Sequence, residues 1–186
     1  MLGDRRVVIP PPVLLASNHQ SSVDPLVVGA VTPVEMAYFA KEEIFTWFLL
    51  KDLASFYNAF PVRRGSFDLQ AIRNAGRALK RGLPMVIFPE GTRSKTGELQ
   101  EGKAGIGMLA LQNNVDIVPV YVHGTFRLRR SFLKWPGIVV HFGPRISIDE
   151  FKLSGSKKEM YNAISRRVMS EIARLRDQTL ATIRSH

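Results

Sequence analysis

The chain has no cysteine. That excludes disulfides, thiolate zinc sites and a cysteine nucleophile. No apolar run reaches the length of a membrane span, and the N-terminus has no signal-peptide pattern. No Gly-x-Ser-x-Gly elbow and no zinc-type His/Glu spacing occur, so the usual serine hydrolase and zinc hydrolase signatures are missing. Internal repeats, linkers and low-complexity tracts are missing too. Acidic residues are scarce, 16 against 26 lysines and arginines. The resulting net charge of +10 and pI of about 10.3 imply an anionic partner. That partner is nucleic acid, a phosphate-bearing substrate or an anionic membrane surface. With no recognised nucleic-acid module and no arginine-rich tail, no nucleic acid is expected.

What is present suits one globular domain: 186 residues, 45% of them hydrophobic. The stretch Ser17-Asn18-His19-Gln20-Ser21-Ser22-Val23-Asp24-Pro25 is central. Val13 to Ala16 before it reads as a buried strand, and Leu26 to Val28 after it as the start of a helix. Ser21, Ser22 and Asp24 are candidates to cap that helix, and Pro25 suits its first turn. His19 therefore falls at the carboxyl end of a strand, the edge where open α/β sheets hold ligands. His19 and Asp24 are five apart, which no regular helix brings together but a strand-to-helix turn can. Asp24 would then accept one ring N–H and leave the other nitrogen to take a proton. The alternative is a solitary turn histidine with Asp24 as a helix cap.

Residues 1–12 read as a basic arm ending in three prolines. Glu35 to Ala40 predicts a strand, and 41–53 an all-round apolar helix, buried or facing lipid. Phe60 to Gly65 predicts a short strand ending in Arg63 and Arg64. A helix from Ser66 to about Arg81 stops at Gly82. Met85 to Phe88 is a buried-strand signal running into the turn Pro89-Glu90-Gly91-Thr92-Arg93-Ser94, where Gly91 allows close backbone approach. A polar loop with Lys103 near its end leads to a helix from Ala104 to Gln112. The strand Ile117 to Val122 contains Pro119, which predicts an edge or a bulge. Phe126 to Trp135 interleaves aromatic and basic residues, which suits nucleic-acid stacking or a lipid interface, the alternative being a solvated loop with anchoring aromatics. Ile138 to Phe142 predicts another strand, and 157–184 a long amphipathic helix. Alternating strands and helices give a three-layer αβα domain over 1–186 with a mostly parallel β-sheet.

Four of these clusters, in this order, resemble the glycerolipid acyltransferase family. The likeness is strongest to bacterial PlsC-type 1-acyl-glycerol-3-phosphate acyltransferases. The family's Asn-His-x4-Asp block is matched by Asn18, His19 and Asp24. Its second block is matched by Asn58 to Arg64, with Asn58 where glycine is usual. Its Phe-Pro-Glu-Gly-Thr-Arg-Ser block is matched by Phe88 to Ser94 without departure. Its aliphatic-Pro-aliphatic strand is matched by Val118-Pro119-Val120. The resemblance spans roughly residues 13 to 125.

The resemblance implies a mixed sheet of the glycerol-3-phosphate acyltransferase type. It also implies direct transfer of a fatty acyl group from acyl-CoA or acyl-carrier protein to the 2-hydroxyl of lysophosphatidic acid, giving phosphatidic acid. His19 would be the general base and Asp24 its orienter. Arg64 and Arg93 would grip the phosphate, with Lys103 beside them, and Glu90, Gly91 and Thr92 would shape the glycerol site. No metal and no cofactor beyond the acyl thioester are implied. Members usually carry a membrane-attaching segment before the first block, whereas eighteen residues precede His19 here. The chain is then either trimmed or held peripherally at the cytoplasmic face of the cell membrane through Phe126–Trp135 and the Ile44–Leu50 segment. A different lysophospholipid acceptor, a Ser-His-Asp lipid hydrolase and a non-catalytic binder of anions remain alternatives. The last has no use for both the His19/Asp24 pair and Glu90.

Overall fold

The computed structural model describes every residue except 11, 42–58, 63–68, 127–136, 153–154 and 186. The expected apolar helix over 41–53, save Lys41, which ends a strand, lies outside the described residues, as do the arginines 63 and 64, the Ser66 cap and nearly all of the basic aromatic cluster.

Among the described residues, four strands form the main sheet: β1 (Val13–Ser17), β4 (Met85–Ile87), β5 (Asp116–His123) and β6 (Val139–Phe142), in the order β4-β1-β5-β6. β1 runs parallel to both β4 and β5, and β6 is antiparallel to β5. Two further strands, β2 (Tyr38–Lys41) and β3 (Ala59–Val62), pair parallel to each other. A bridge between Ala37 and Met85 carries this pair to the β4 edge, where the Ala37 N–H donates to the Pro84 carbonyl at 2.8 Å.

All five residues of β1 are buried, as a strand covered on both faces requires. Leu14 and Ala16 point to one face, with Met85, Ile117 and Tyr121. Among the described helices, α2 (Leu69–Lys80), α3 (Gly105–Asn113) and α4 (Lys157–Arg184) cover it. Val13, Leu15, Val118, Val120 and Val122 point to the other face, covered by α1 (Asp24–Val31) and by Val8 of the short 3-10 turn Arg5–Val8. Successive side chains of one apolar run thus fill both faces of the sheet, and three layers result. Truncating a side chain such as Leu14 to alanine should cost about 2–5 kcal/mol.

The 28 residues of α4 begin at a capping box in which the side chains of Ser156 and Glu159 each bond the other's backbone N–H. Ile164, Val168, Ile172 and Leu175 recur at helical spacing and are fully buried or nearly so. Gly107 lets α3 lie directly on α4, because a Cβ there would collide with the Tyr161 backbone. The helices facing the sheet therefore lock as a pair, which fixes the loop between β4 and α3 that carries the site.

Three expectations need correction or completion. Pro119 does not lie on an edge strand; β5 is interior and Pro119 sits beside Ala16 of β1. Its carbonyl accepts from the Gly143 N–H at 2.8 Å, so its missing donor faces the same side. There Phe142 lies opposite Val120 and Ile146 opposite Ile117, so residues 143–145 bulge against the pair 118–119. The bulge accepts a proline that a regular ladder would not. Second, the residue capping α1 is Val23, which makes no side-chain cap bond; Asp24 turns its carboxylate back toward the preceding loop instead. Third, the N-terminal arm is stitched to β6, with the Leu2 N–H on the Val140 carbonyl and the Phe142 N–H on the Leu2 carbonyl.

Candidate active site

β1 delivers Asn18 and His19 to its carboxyl end, between the ends of β4 and β5. Asn18 is fully buried. Its amide donates to the Val122 carbonyl at 3.0 Å and accepts from the Val122 N–H at 2.7 Å. The side chain thus continues the β1–β5 ladder for one more step after the backbone has turned away. That turn frees His19 from the sheet.

Asp24 is fully buried beneath the loop. Its Oδ2 accepts from the Gln20 N–H and the Ser21 N–H, both at 2.7 Å, and meets His19 Nδ1 at 2.9 Å. An oxygen already accepting two backbone donors accepts from the ring as well, so Nδ1 carries the proton and Nε2 keeps its lone pair. The ring is stacked on Phe88, with centroids 3.9 Å apart and planes 19° apart. Its side chain retains 12% exposure. One nitrogen is therefore pinned, one ring face is covered, and the group as a whole still reaches solvent. This geometry can take a proton from a hydroxyl and hold the resulting imidazolium against a carboxylate.

The turn after β4 folds over the same loop. Glu90 is 3% exposed. Its Oε1 lies 3.4 Å from the His19 N–H, and its Oε2 accepts from Gln100 Nε2 at 2.9 Å. Burial pushes the Glu90 carboxyl above its ordinary value, and the bonds from Gln100 and the His19 N–H draw it part of the way back. Gln100 also reaches the Thr92 carbonyl at 3.2 Å. Gly91 adopts φ +72°. The Lys103 chain lies across it, with Nζ 3.0 Å from where a Gly91 Cβ would stand. The Lys103 N–H closes the loop onto the Pro89 carbonyl at 2.8 Å. Thr92, Arg93 and Lys103 are exposed beside this turn.

The structure thus gathers His19, Asp24 and Glu90 into one hydrogen-bonded group and sets Gly91 and Lys103 side by side. Arg93 occupies the rim of the same turn, and Arg64 lies outside the described residues. The residues Asn18, Gln20, Phe88, Ser94 and Gln100 join this group without having been assigned a role from sequence. Asn18, Phe88 and Ser94 lay inside the matched blocks, and Gln20 beside His19, but nothing local in the sequence pointed to Gln100. Among the described residues, no three His, Cys, Asp or Glu side chains gather as a metal site.

A strand-end His–Asp pair braced by a Glu-Gly-Thr-Arg turn is the setting in which a family model described as Acyltransferase matches residues 4–123, and the chain belongs to that family. Within it, a Cocos nucifera protein named 1-acyl-sn-glycerol-3-phosphate acyltransferase is 38% identical over 73% of this chain and 46% of its own length. A Streptococcus pneumoniae protein of the same name is 26% identical over 89% of this chain and 61% of its own. A Pseudomonas aeruginosa protein named lyso-ornithine lipid O-acyltransferase is 32% identical over 60% of this chain and 43% of its own length. The chain spans about half the length of the first of these curated relatives. The crystal structure of the 1-acyl-sn-glycerophosphate (LPA) acyltransferase PlsC from Thermotoga maritima superposes with a TM-score of 0.69. It covers 92% of this chain and 70% of that one, and at 22% identity the likeness shows the α/β fold alone.

Proposed function

We propose that this chain transfers a fatty acyl group from a thioester, acyl-CoA or acyl-carrier protein, to the free 2-hydroxyl of a 1-acyl-glycerol-3-phosphate. The observation that carries the reading is the 2.9 Å contact between His19 Nδ1 and Asp24 Oδ2 with the ring stacked on Phe88. It is supported by the names of the relatives above. His19 Nε2 takes the hydroxyl proton as the oxygen attacks the thioester carbonyl. The carbon–sulfur bond then breaks, and the proton passes from the imidazolium to the departing thiolate. Asp24 holds the ring in the required tautomer and offsets its charge. Arg93 and Lys103 receive the acceptor's phosphate, with Arg64 their expected partner, since charge-assisted bonds from cations suit phosphate oxygens. Glu90 acts mainly as a brace, and Gly91 and Thr92 leave room for the glycerol.

The product is a two-tailed lipid, and no described helix is long and apolar enough to cross a membrane. Peripheral attachment to the inner face of the cell membrane is the corresponding proposal. Phe126, 37% exposed, opens the expected contact segment. Four basic residues there would contribute roughly 1 kcal/mol each on an anionic surface.

The deciding experiment incubates purified protein with lysophosphatidic acid and thioester donors of graded chain length. Phosphatidic acid made by the wild type and lost in His19→Ala supports the proposal. Release of free fatty acid without transfer would replace it with a hydrolase. Transfer only to a phosphate-free lyso-lipid would replace the acceptor.

A further inference from the structure

The loop that carries His19 is held from a second side, by a part of the chain with no acid–base chemistry of its own. The Ser94 N–H donates to the His19 carbonyl at 2.7 Å. Ser94 Oγ accepts from the Gly97 N–H at 3.0 Å, which closes the turn 94–97 on itself. The Gly97 carbonyl in turn accepts from Gln20 Nε2 at 2.7 Å. A closed circuit results: His19 carbonyl, Ser94, Gly97, Gln20 and back to His19 through one peptide bond. Gln20 also links the circuit to the acid, since its own N–H is one of the three donors on Asp24 Oδ2. Ser94 is 6% exposed, so its bonds compete little with water.

From this circuit we infer that Gln20 is a positioning residue, and that with Ser94 and Gly97 it fixes the distance between the proton-accepting ring and the phosphate-gripping Arg93. The inference rests on the acyl-transfer reading above. Arg93 is the residue directly before Ser94, and the carbonyl of Thr92 on its other side is held by Gln100. Both flanks of Arg93 are therefore tied down, one of them to His19 itself. In a lysophosphatidic acid the hydroxyl and the phosphate sit on neighbouring carbons of one glycerol. A base and a cation held at fixed separation select for that span. A loop free to drift would still bind phosphate and still present a histidine, but not both at once to one molecule. Misplacement of reacting groups by about 1 Å can cost on the order of 100-fold in rate.

Gln20→Met keeps the bulk and removes the donor. Its turnover is measured with lysophosphatidic acid and with the matching monoacylglycerol, which has the hydroxyl and lacks the phosphate. The clasp predicts that turnover on lysophosphatidic acid falls about 10- to 100-fold while turnover on monoacylglycerol changes little, so the preference for the phosphate-bearing acceptor shrinks. Donor KM should stay as in the wild type. Amide hydrogen exchange at Ser94 and Gly97 should also quicken, a readout that needs no substrate. Ser94→Ala, which keeps the backbone N–H but frees Gly97, should move both readouts the same way by less, and it stands in if Gln20→Met does not fold. Equal loss on the two acceptors, or unchanged turnover on lysophosphatidic acid, overturns the inference. A wild type that acylates neither acceptor fails the acyl-transfer reading instead, while faster exchange in the variants would still show the clasp.

Discussion

Two histidines of this chain make nearly the same contact and have different prospects. His19 Nδ1 lies 2.9 Å from Asp24 Oδ2, and His141 Nδ1 lies 2.9 Å from Thr179 Oγ1. Thr179 gives its own hydroxyl proton to the Leu175 carbonyl, so it accepts from His141 just as Asp24 accepts from His19. Both rings are thus fixed in the same tautomer. The partners differ in kind: an acid side chain can offset an imidazolium, and a hydroxyl offers only a dipole. Burial, helped by the positive charge of Arg174, pulls the His141 imidazole below its ordinary value. His141 lies within β6, against Thr179 of α4. His19 lies past the end of β1, where the chain has left the sheet. A hydrogen-bonded histidine is therefore not a base by that fact. The partner's charge and the place on the sheet decide.

The comparison breaks most severely at the ring itself. His19→Ala should lower acyl transfer by about 10²–10⁴-fold with the melting temperature nearly unchanged, whereas His141→Ala should leave turnover near wild type. Comparable losses in both would remove the distinction. Asp24→Asn makes the partner of His19 as neutral as that of His141. Turnover should drop by about 10²-fold or more. The amide must also place its NH2 against three donors or in the buried position of Oδ1, which has no partner among the described residues. A stability cost of about 1–3 kcal/mol should accompany the loss, so denaturant unfolding is measured beside the rate.

Smaller effects sharpen the contrast. Arg93→Ala leaves the His19 pair intact and removes a fork that fits phosphate. KM for lysophosphatidic acid should rise about 10-fold, with donor KM unchanged; a rise in donor KM would reassign Arg93 to the thioester partner. The smallest effect belongs to His141 and concerns stability. Its folded value lies below the ordinary 6.5. Between the two values the unfolded chain binds more protons, so stability rises with pH there and is lost as pH falls below about 6.5. His141→Gln should flatten that acid limb in thermal melts, and an unchanged slope would place the sensitivity elsewhere.

Much of this protein was readable from residues close together in the chain. Short unbroken apolar runs gave β1, β4 and β5, and the helical spacing of Ile164, Val168, Ile172 and Leu175 gave α4, because local pattern records which faces are covered. The five-residue gap between His19 and Asp24 excluded a helix and so predicted a turn. Pro119 signalled an irregular ladder, yet its interior position could not be read, because a missing donor says nothing about which neighbour bulges. Asp24 looked like a helix cap because carboxylates near helix starts usually are; only the fold showed its oxygen claimed by the loop before it.

What the tertiary structure alone decided is the bracing. Asn18 meets Val122 across 104 residues of chain, Gln20 meets Gly97 across 77, and His19 meets Glu90 across 71. Such bonds leave no periodic trace, since each joins single residues whose neighbours differ. They form because a loop buried between strand ends has polar groups that must find partners, and the strands set which partners are within reach. The sequence by itself determined which acid and base side chains are present; the packing of β1 between β4 and β5 decided that they meet, and what holds them still.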